Sequence, residues 1–140
     1  MSERNQKPLP RIDELNQPYW EAAKRHELFL QKCQDCGYYR YPPGKTCPSC
    51  LSDRLEWVKT SGRGTVYTWT VFHQVYHPAF EKDVPYAVVA VELDEGPRLL
   101  TNLVDCEVEA INIGLPVEVV FDDVTEEITL PKFRPVSKQA

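Results

Sequence analysis

Four of the five cysteines fall in two Cys-x-x-Cys knuckles, Cys33-Gln34-Asp35-Cys36 and Cys47-Pro48-Ser49-Cys50. Two cysteines separated by two residues turn both sulfurs toward one point. Two facing knuckles supply four thiolates in a tetrahedron, the donor set that suits Zn(II). Gly37 follows the first knuckle, where a left-handed backbone is needed. Pro48 fixes one dihedral inside the second. Iron in a rubredoxin-like centre is the rival ion, although in such folds the knuckles usually stand further apart along the chain. Two disulfides or four unrelated core cysteines are the other readings; disulfides are disfavoured because Met1 to Pro10 is polar with no apolar stretch that reads as a signal peptide. With all four positions filled by protein, no position is left open for water or substrate, so the ion is structural rather than catalytic.

No second constellation of this quality is present. Cys106 is the leftover thiol, flanked by Asp105 and Glu107, which raise rather than lower its pKa. A small buried apolar role suits it better than nucleophilic catalysis. His73 and His77 lie four apart in an expected loop, without an HExxH pattern. Asp122, Asp123, Glu126 and Glu127 read as a solvated acidic turn. No phosphate-cradling glycine loop, nucleophile elbow or dinucleotide fingerprint occurs. This chain is therefore expected not to perform a reaction alone. A net charge of −5 argues against non-specific nucleic-acid binding, which rests on a basic surface. With 140 residues, 42% hydrophobic and 26% charged, the chain is ordinary for a globular protein of one domain or two small ones. No run approaches the length of a membrane span. Four metal-pattern cysteines and one spare fit a reducing cytoplasm.

The elements that must position the knuckles follow from patterning. Residues 1–15 are a polar arm. Pro18 sets up a helix of about ten residues with Asn16 or Gln17 at the cap. Tyr19, Trp20, Ala23 and Leu28 share its apolar face, with Trp20 as the anchor, packed either on this chain or on a partner. Leu28 to Lys32 is a strand entering the first knuckle. Tyr38, Tyr39, Arg40 and Tyr41 lie between the knuckles, either covering the ribbon or forming a contact surface for a phosphate-bearing ligand or a partner. Leu51 to Lys59 leaves the ribbon as a strand, and Ser61-Gly62-Arg63-Gly64 is a turn and domain boundary. Five strands follow, at 65–72, 86–93, 98–104, 117–121 and 128–133, with a long loop at 73–85, a turn at Asp122-Asp123 and a polar tail from Arg134. The fold class is thus mainly β: an N-terminal helix, a rubredoxin-like zinc ribbon, then a five-stranded OB-fold barrel, with an SH3-like barrel as runner-up. The organisation is an arm over 1–15, helix and ribbon over 16–60, barrel over 61–135 and tail over 136–140.

These residues together resemble a known family. Tyr19-Trp20, Leu28, Lys32-Cys33 to Cys36-Gly37, Pro42-Pro43 and Cys47-Pro48 to Cys50 are similar to the N-terminal ribbon of the zinc-ribbon/OB-fold acyl-CoA-associated proteins, the domain of unknown function thirty-five. Gly62 to Val71, Pro85-Tyr86, Val91 to Arg98, Ile113-Gly114, Val117 to Val119 and Leu130 to Phe133 continue the likeness, which spans about residues 15 to 135. The resemblance implies Zn(2+) held by Cys33, Cys36, Cys47 and Cys50. It implies a non-catalytic subunit in a hetero-oligomer with a thiolase or related acyl-CoA carbon–carbon bond enzyme. There it would dock on the catalytic subunit, which supplies the nucleophile, and help form the acyl-CoA channel. Coenzyme A would be shared with that partner; Arg40 and Arg63 are candidates to face its diphosphate, and Tyr76 and Phe80 to lie near the acyl end. Two other readings stand beside it: a single-stranded nucleic-acid-binding module, since ribbons and OB barrels both bind strands, and an electron carrier with iron in the knuckles.

Overall fold

The computed structural model describes residues 9–74, 78 and 82–136. Helix α1 spans Gln17–Lys24, eight residues with Pro18 in its first turn. Asn16 stands at the cap position, but its side chain does not cap the helix. It exchanges hydrogen bonds with Asp13 instead: the Asp13 N–H donates to Asn16 Oδ1 at 2.8 Å and the Asn16 N–H to Asp13 Oδ1 at 2.9 Å. The helix stops in a Schellman turn. His26 N–H donates to Ala23 O at 2.8 Å and Glu27 N–H to Ala22 O at 2.9 Å, with His26 at φ +64°. The inward face is Tyr19, Ala22 and Ala23, packed on this chain. Tyr19, not Trp20, is the anchor, because it shares the helix side of the two alanines while Trp20 falls one step around the axis and stays half-buried.

The ribbon sheet is small. β1, Phe29–Cys33, lies between β2, Tyr39–Arg40, and β3, Leu55–Lys59, all antiparallel. The second sheet holds five strands: β4 Arg63–Phe72, β5 Tyr86–Leu93, β6 Arg98–Asn102, β7 Pro116–Asp123 and β8 Thr129–Pro135, in the order β6-β5-β4-β7-β8. β4 is long enough to serve two neighbours. Arg63 to Thr65 pair with β7, and Gly64 to Phe72 with β5, across an irregularity between Val66 and Thr68. A bulge there lets the strand bend and the sheet curl. The outer strands then meet: Leu103 bridges Phe133 in parallel, Val104 N–H donates to Phe133 O at 2.8 Å, and Thr101 Oγ1 donates to Pro131 O at 3.0 Å. Five antiparallel strands nearly closed by a parallel contact between third and fifth are an OB barrel rather than an SH3-like one.

Several boundaries differ from those expected. Arg63 and Gly64 already belong to β4 and Asp122-Asp123 to β7, because ladder pairing overrides their turn-like composition. Arg134 is paired with Glu118 in β8 rather than in a tail. Leu51 to Arg54 form no strand, and β3 starts at Leu55.

One apolar core runs through both sheets. Leu28 and Leu30, with Tyr19, join Val66, Val89, Val91, Val117 and Phe133 in a single buried cluster. A second tie lies at the surface. His26 stacks on Phe121 of β7, with ring centroids 5.1 Å apart, and its Nε2 lies 3.0 Å from Asp123 Oδ1. Thr129 Oγ1 donates to the same carboxylate at 2.7 Å. The Thr129 hydroxyl first and His26 second hold the Asp123 carboxyl below its usual value.

Two outcomes follow. Leu30→Ala removes a side chain at the junction of ribbon and barrel. It should lower urea stability by about 2–5 kcal/mol in one transition; a barrel that unfolds as in the wild type would contradict a shared core. A carboxyl depressed by folding stabilises fully above its unfolded value near ~4 and loses that share as pH falls through its lower folded value. The stability gap between wild type and Asp123→Asn should therefore shrink as pH falls below about 4. A gap independent of pH would refute the pairing.

Candidate metal centre

The four knuckle cysteines converge. Their sulfurs all lie within 4.8 Å of one another. Cys33 Sγ is 3.6 Å from Cys50 Sγ, and Cys36 Sγ is 3.6 Å from Cys47 Sγ. A tetrahedral ion with Zn–S bonds of about 2.3 Å separates its sulfurs by roughly 3.8 Å. Both spacings fit that geometry. A disulfide needs sulfurs at about 2.05 Å, so the thiols are free.

Local backbone aims the sulfurs. Each knuckle closes with the same pair of hydrogen bonds: Cys33 N–H to Tyr38 O and Gly37 N–H to Cys33 O, both 2.9 Å, and Cys47 N–H to Ser52 O and Leu51 N–H to Cys47 O, both 2.8 Å. The residue after each second cysteine is left-handed, Gly37 at φ +80° and Leu51 at φ +67°. Amide groups inside the turns then face sulfur, as Ser49 N–H does toward Cys47 Sγ at 3.3 Å. The Cys36 N–H is the largest influence bringing the Cys33 thiol down to about 7. Burial opposes ionisation of Cys47, yet the N–H groups of Cys50 and Ser49 outweigh it and lower that thiol too. At Cys50 the Ser52 N–H pulls downward, but burial and the neighbouring thiols push it up to about 12. Without an ion, four sulfurs this close cannot all ionise; one divalent cation removes the repulsion and makes four thiolates compatible. These donors therefore fit Zn(2+), whose chemistry here is to cross-link the two knuckles.

A polar brace that spacing did not reveal holds the knuckles together. Asp35, in the first, accepts from Ser52 Oγ at 2.5 Å and from Arg54 Nε at 3.0 Å, both beyond the second. The Ser52 hydroxyl, then Arg54, lower the Asp35 carboxyl.

The structure places the other candidates apart. Arg40 on β2 turns its guanidinium inward, donating from Nε to Pro42 O at 3.0 Å and from Nη1 to Thr46 O. Gly44 packs flat on that group, where any Cβ would collide. Arg63, on the other sheet, is exposed and lies 3.8 Å from Glu118. Tyr76, His77 and Phe80 lie outside the described residues. The Cys106 thiol is pushed up, by burial first and by Glu107 second. Tyr38, Tyr39 and Tyr41 line a cleft of about 350 Å³ that faces Glu95 to Arg98 of the barrel.

Ribbon and barrel together define a zinc-ribbon/OB-fold protein, and the comparisons agree. The family described as ChsH2, rubredoxin-like zinc ribbon domain, matches residues 20–56, and that described as ChsH2, C-terminal OB-fold domain, matches residues 57–122. A DUF35 domain-containing scaffold protein of Methanocaldococcus jannaschii is 39% identical over 110 residues, covering 77% of each chain. A probable enoyl-CoA hydratase alpha subunit of Thermomonospora curvata is 44% identical over 133 residues, 95% of this chain but 41% of that one. The chain thus spans about two fifths of that relative's length. The solved Ltp2-ChsH2(DUF35) aldolase superposes with a TM-score of 0.81 at 45% identity, covering 91% of this chain and 98% of that chain. This chain belongs to the DUF35 family.

Removing one ligand tests the centre. Cys36→Ser should abolish stoichiometric zinc, melt the ribbon and leave a weaker barrel, since zinc-ligand bonding in such small sites contributes on the order of 10 kcal/mol to folding. Metal analysis beside thermal denaturation reads both effects. Full metal loss with unchanged stability would contradict a structural ion.

Proposed function

We infer that this chain is a non-catalytic subunit of an acyl-CoA carbon–carbon bond enzyme. It docks on a thiolase-type catalytic subunit and helps to form the channel for the acyl-CoA, with coenzyme A shared between the two chains. The observation that carries this reading is the match along nearly the whole chain to the DUF35 chain of an aldolase, at 45% identity. Aldol chemistry makes or breaks a carbon–carbon bond, as thiolase chemistry does.

The arrangement of reactive groups supports the same division of labour. Four cysteines are committed to the metal centre. The Cys106 thiol donates to Glu107 O at 3.4 Å and is raised rather than activated. His26 and Thr129 both bind Asp123, so the histidine and the hydroxyl meet the carboxylate rather than each other. A nucleophilic triad needs the histidine on the hydroxyl. We place the protein in the cytoplasm, where a reducing milieu keeps metal-binding thiols free; no described helix is long and apolar enough to cross a membrane.

The single-stranded nucleic-acid reading draws less support. The outer face of β4 to β6 carries Thr68, Thr70, Val88, Ala90 and Leu100 by register, and Arg98 at its end lies over Tyr67 and 3.7 Å from Glu92. An electrostatic track for phosphates requires clustered cations.

Co-expression with a thiolase-type catalytic subunit encoded beside this chain should yield a stable complex, active on an acyl-CoA thioester only when both chains are present. A chain that elutes alone beside every such subunit would overturn the reading. Tight, steeply salt-dependent binding of single-stranded oligonucleotides in fluorescence anisotropy would favour the alternative.

A further inference from the structure

The two knuckles share one backbone design and differ at one telling position. Gly37 and Leu51 each follow a second cysteine, donate to the carbonyl of the first, and hold a left-handed φ. Glycine adopts that conformation freely, and nothing in the described chain lies within 4 Å of where a Cβ would stand at Gly37. Leucine does not adopt it freely, because its Cβ crowds the following carbonyl. Leu51 is also 77% exposed. The strained backbone and the exposed apolar side chain coincide in one residue. Leu100 and Ile113, each 71% exposed, have no such strain. Two other non-glycine residues among those described have positive φ, His26 and Asp105. His26 uses its position to reach Phe121 and Asp123. Leu51 points into solvent, so its strain has no counterpart in packing on this chain.

The surroundings of Leu51 specify what would cover it. Cys36 and Cys50 are the two exposed ligands of the centre, while Cys33 and Cys47 are buried. The run Cys47-Pro48-Ser49-Cys50-Leu51-Ser52 contains no basic side chain; of the cations that flank it, Lys45 and Arg54, the second is paired with Asp35 at 3.0 Å. With a divalent ion bound, four thiolates leave the centre with a charge of −2. The knuckle tip is thus an apolar knob beside a negative edge. We propose that Leu51 seats in an apolar socket on the catalytic subunit, rimmed by lysine, arginine or backbone N–H groups that face the exposed thiolate sulfurs. This rests on the subunit reading given above and names the part of the ribbon that docks. A left-handed backbone at Leu51 orients the knob outward, and the partner supplies the burial that this chain does not.

The test uses the zinc-loaded chain and a purified thiolase-type catalytic subunit. Leu51→Gly and Leu51→Asn keep the left-handed turn and remove the knob; Leu51→Met keeps an apolar reach. Alone, the Gly variant should melt about 2–5 °C higher than wild type with zinc retained, because the strain is relieved. In titration calorimetry, the Gly and Asn variants should bind the catalytic subunit about 30-fold more weakly, the Met variant should bind within about 3-fold of wild type, and wild-type affinity should fall as salt rises. Wild type and variants binding equally would overturn the proposal and leave the subunit reading standing. Failure of the wild type to bind would overturn both. A wild-type chain that dimerises by itself in ultracentrifugation, and becomes monomeric as Leu51→Asn, would assign the knob to a second copy and overturn the proposal as well.

Discussion

Four thiols within 4.8 Å of one another are a poor core and a poor surface, and one divalent ion turns them into the strongest cross-link available to the ribbon. The ribbon sheet has a two-residue strand on one side and five-residue strands elsewhere. Such a sheet buries too little apolar area to persist alone. Closing both knuckles on one ion fixes the ends of β1 and β3, whose registry of Phe29 with Lys59 through Cys33 with Leu55 then follows. Leu30 on β1 and Leu28 just before it are thereby held against Val66, Val91 and Phe133, and the barrel gains part of its core from the ribbon. The metal centre thus acts well beyond its own four residues.

Much of this was legible in the sequence because it depends on local rules. Knuckle spacing announces the ion, and the φ of Gly37 follows from its place after Cys36. The apolar run Ala87 to Val91 marks Tyr86–Leu93 as a strand, but it reads as buried on both faces, whereas the barrel wall fully buries only every second side chain. What was not legible depends on pairing between distant residues. Asp122 and Asp123 look like a turn until Leu130 and Thr129 are set opposite them in β8. Trp20 outranks Tyr19 on size, and only the docking direction of the helix reverses that order. The brace from Asp35 to Ser52 and Arg54 joins residues that composition gives no reason to connect. The left-handed position of Leu51 was legible too, since it stands after Cys50 as Gly37 stands after Cys36.

The same economy fits the non-catalytic role proposed above. Its sulfur chemistry is spent on structure, its histidine–aspartate pair ties helix to barrel, and Arg40 is engaged with loop carbonyls. Among the described residues, the apolar side chains left outward include Leu51 at the knuckle tip, Tyr38 above the cleft and Leu100 on the barrel wall. Rigid frames with exposed apolar points suit association, because little freedom is lost on binding. A bond-forming site asks for the reverse, polar groups left poised and unspent.

Zinc-edge X-ray absorption on the purified chain tests the central claim most directly. The account predicts four sulfur scatterers at about 2.3 Å and no oxygen or nitrogen in the first shell. A light-atom ligand at about 2.0–2.1 Å would mean an open coordination position, and the metal would then be a candidate for catalysis rather than the clamp described here.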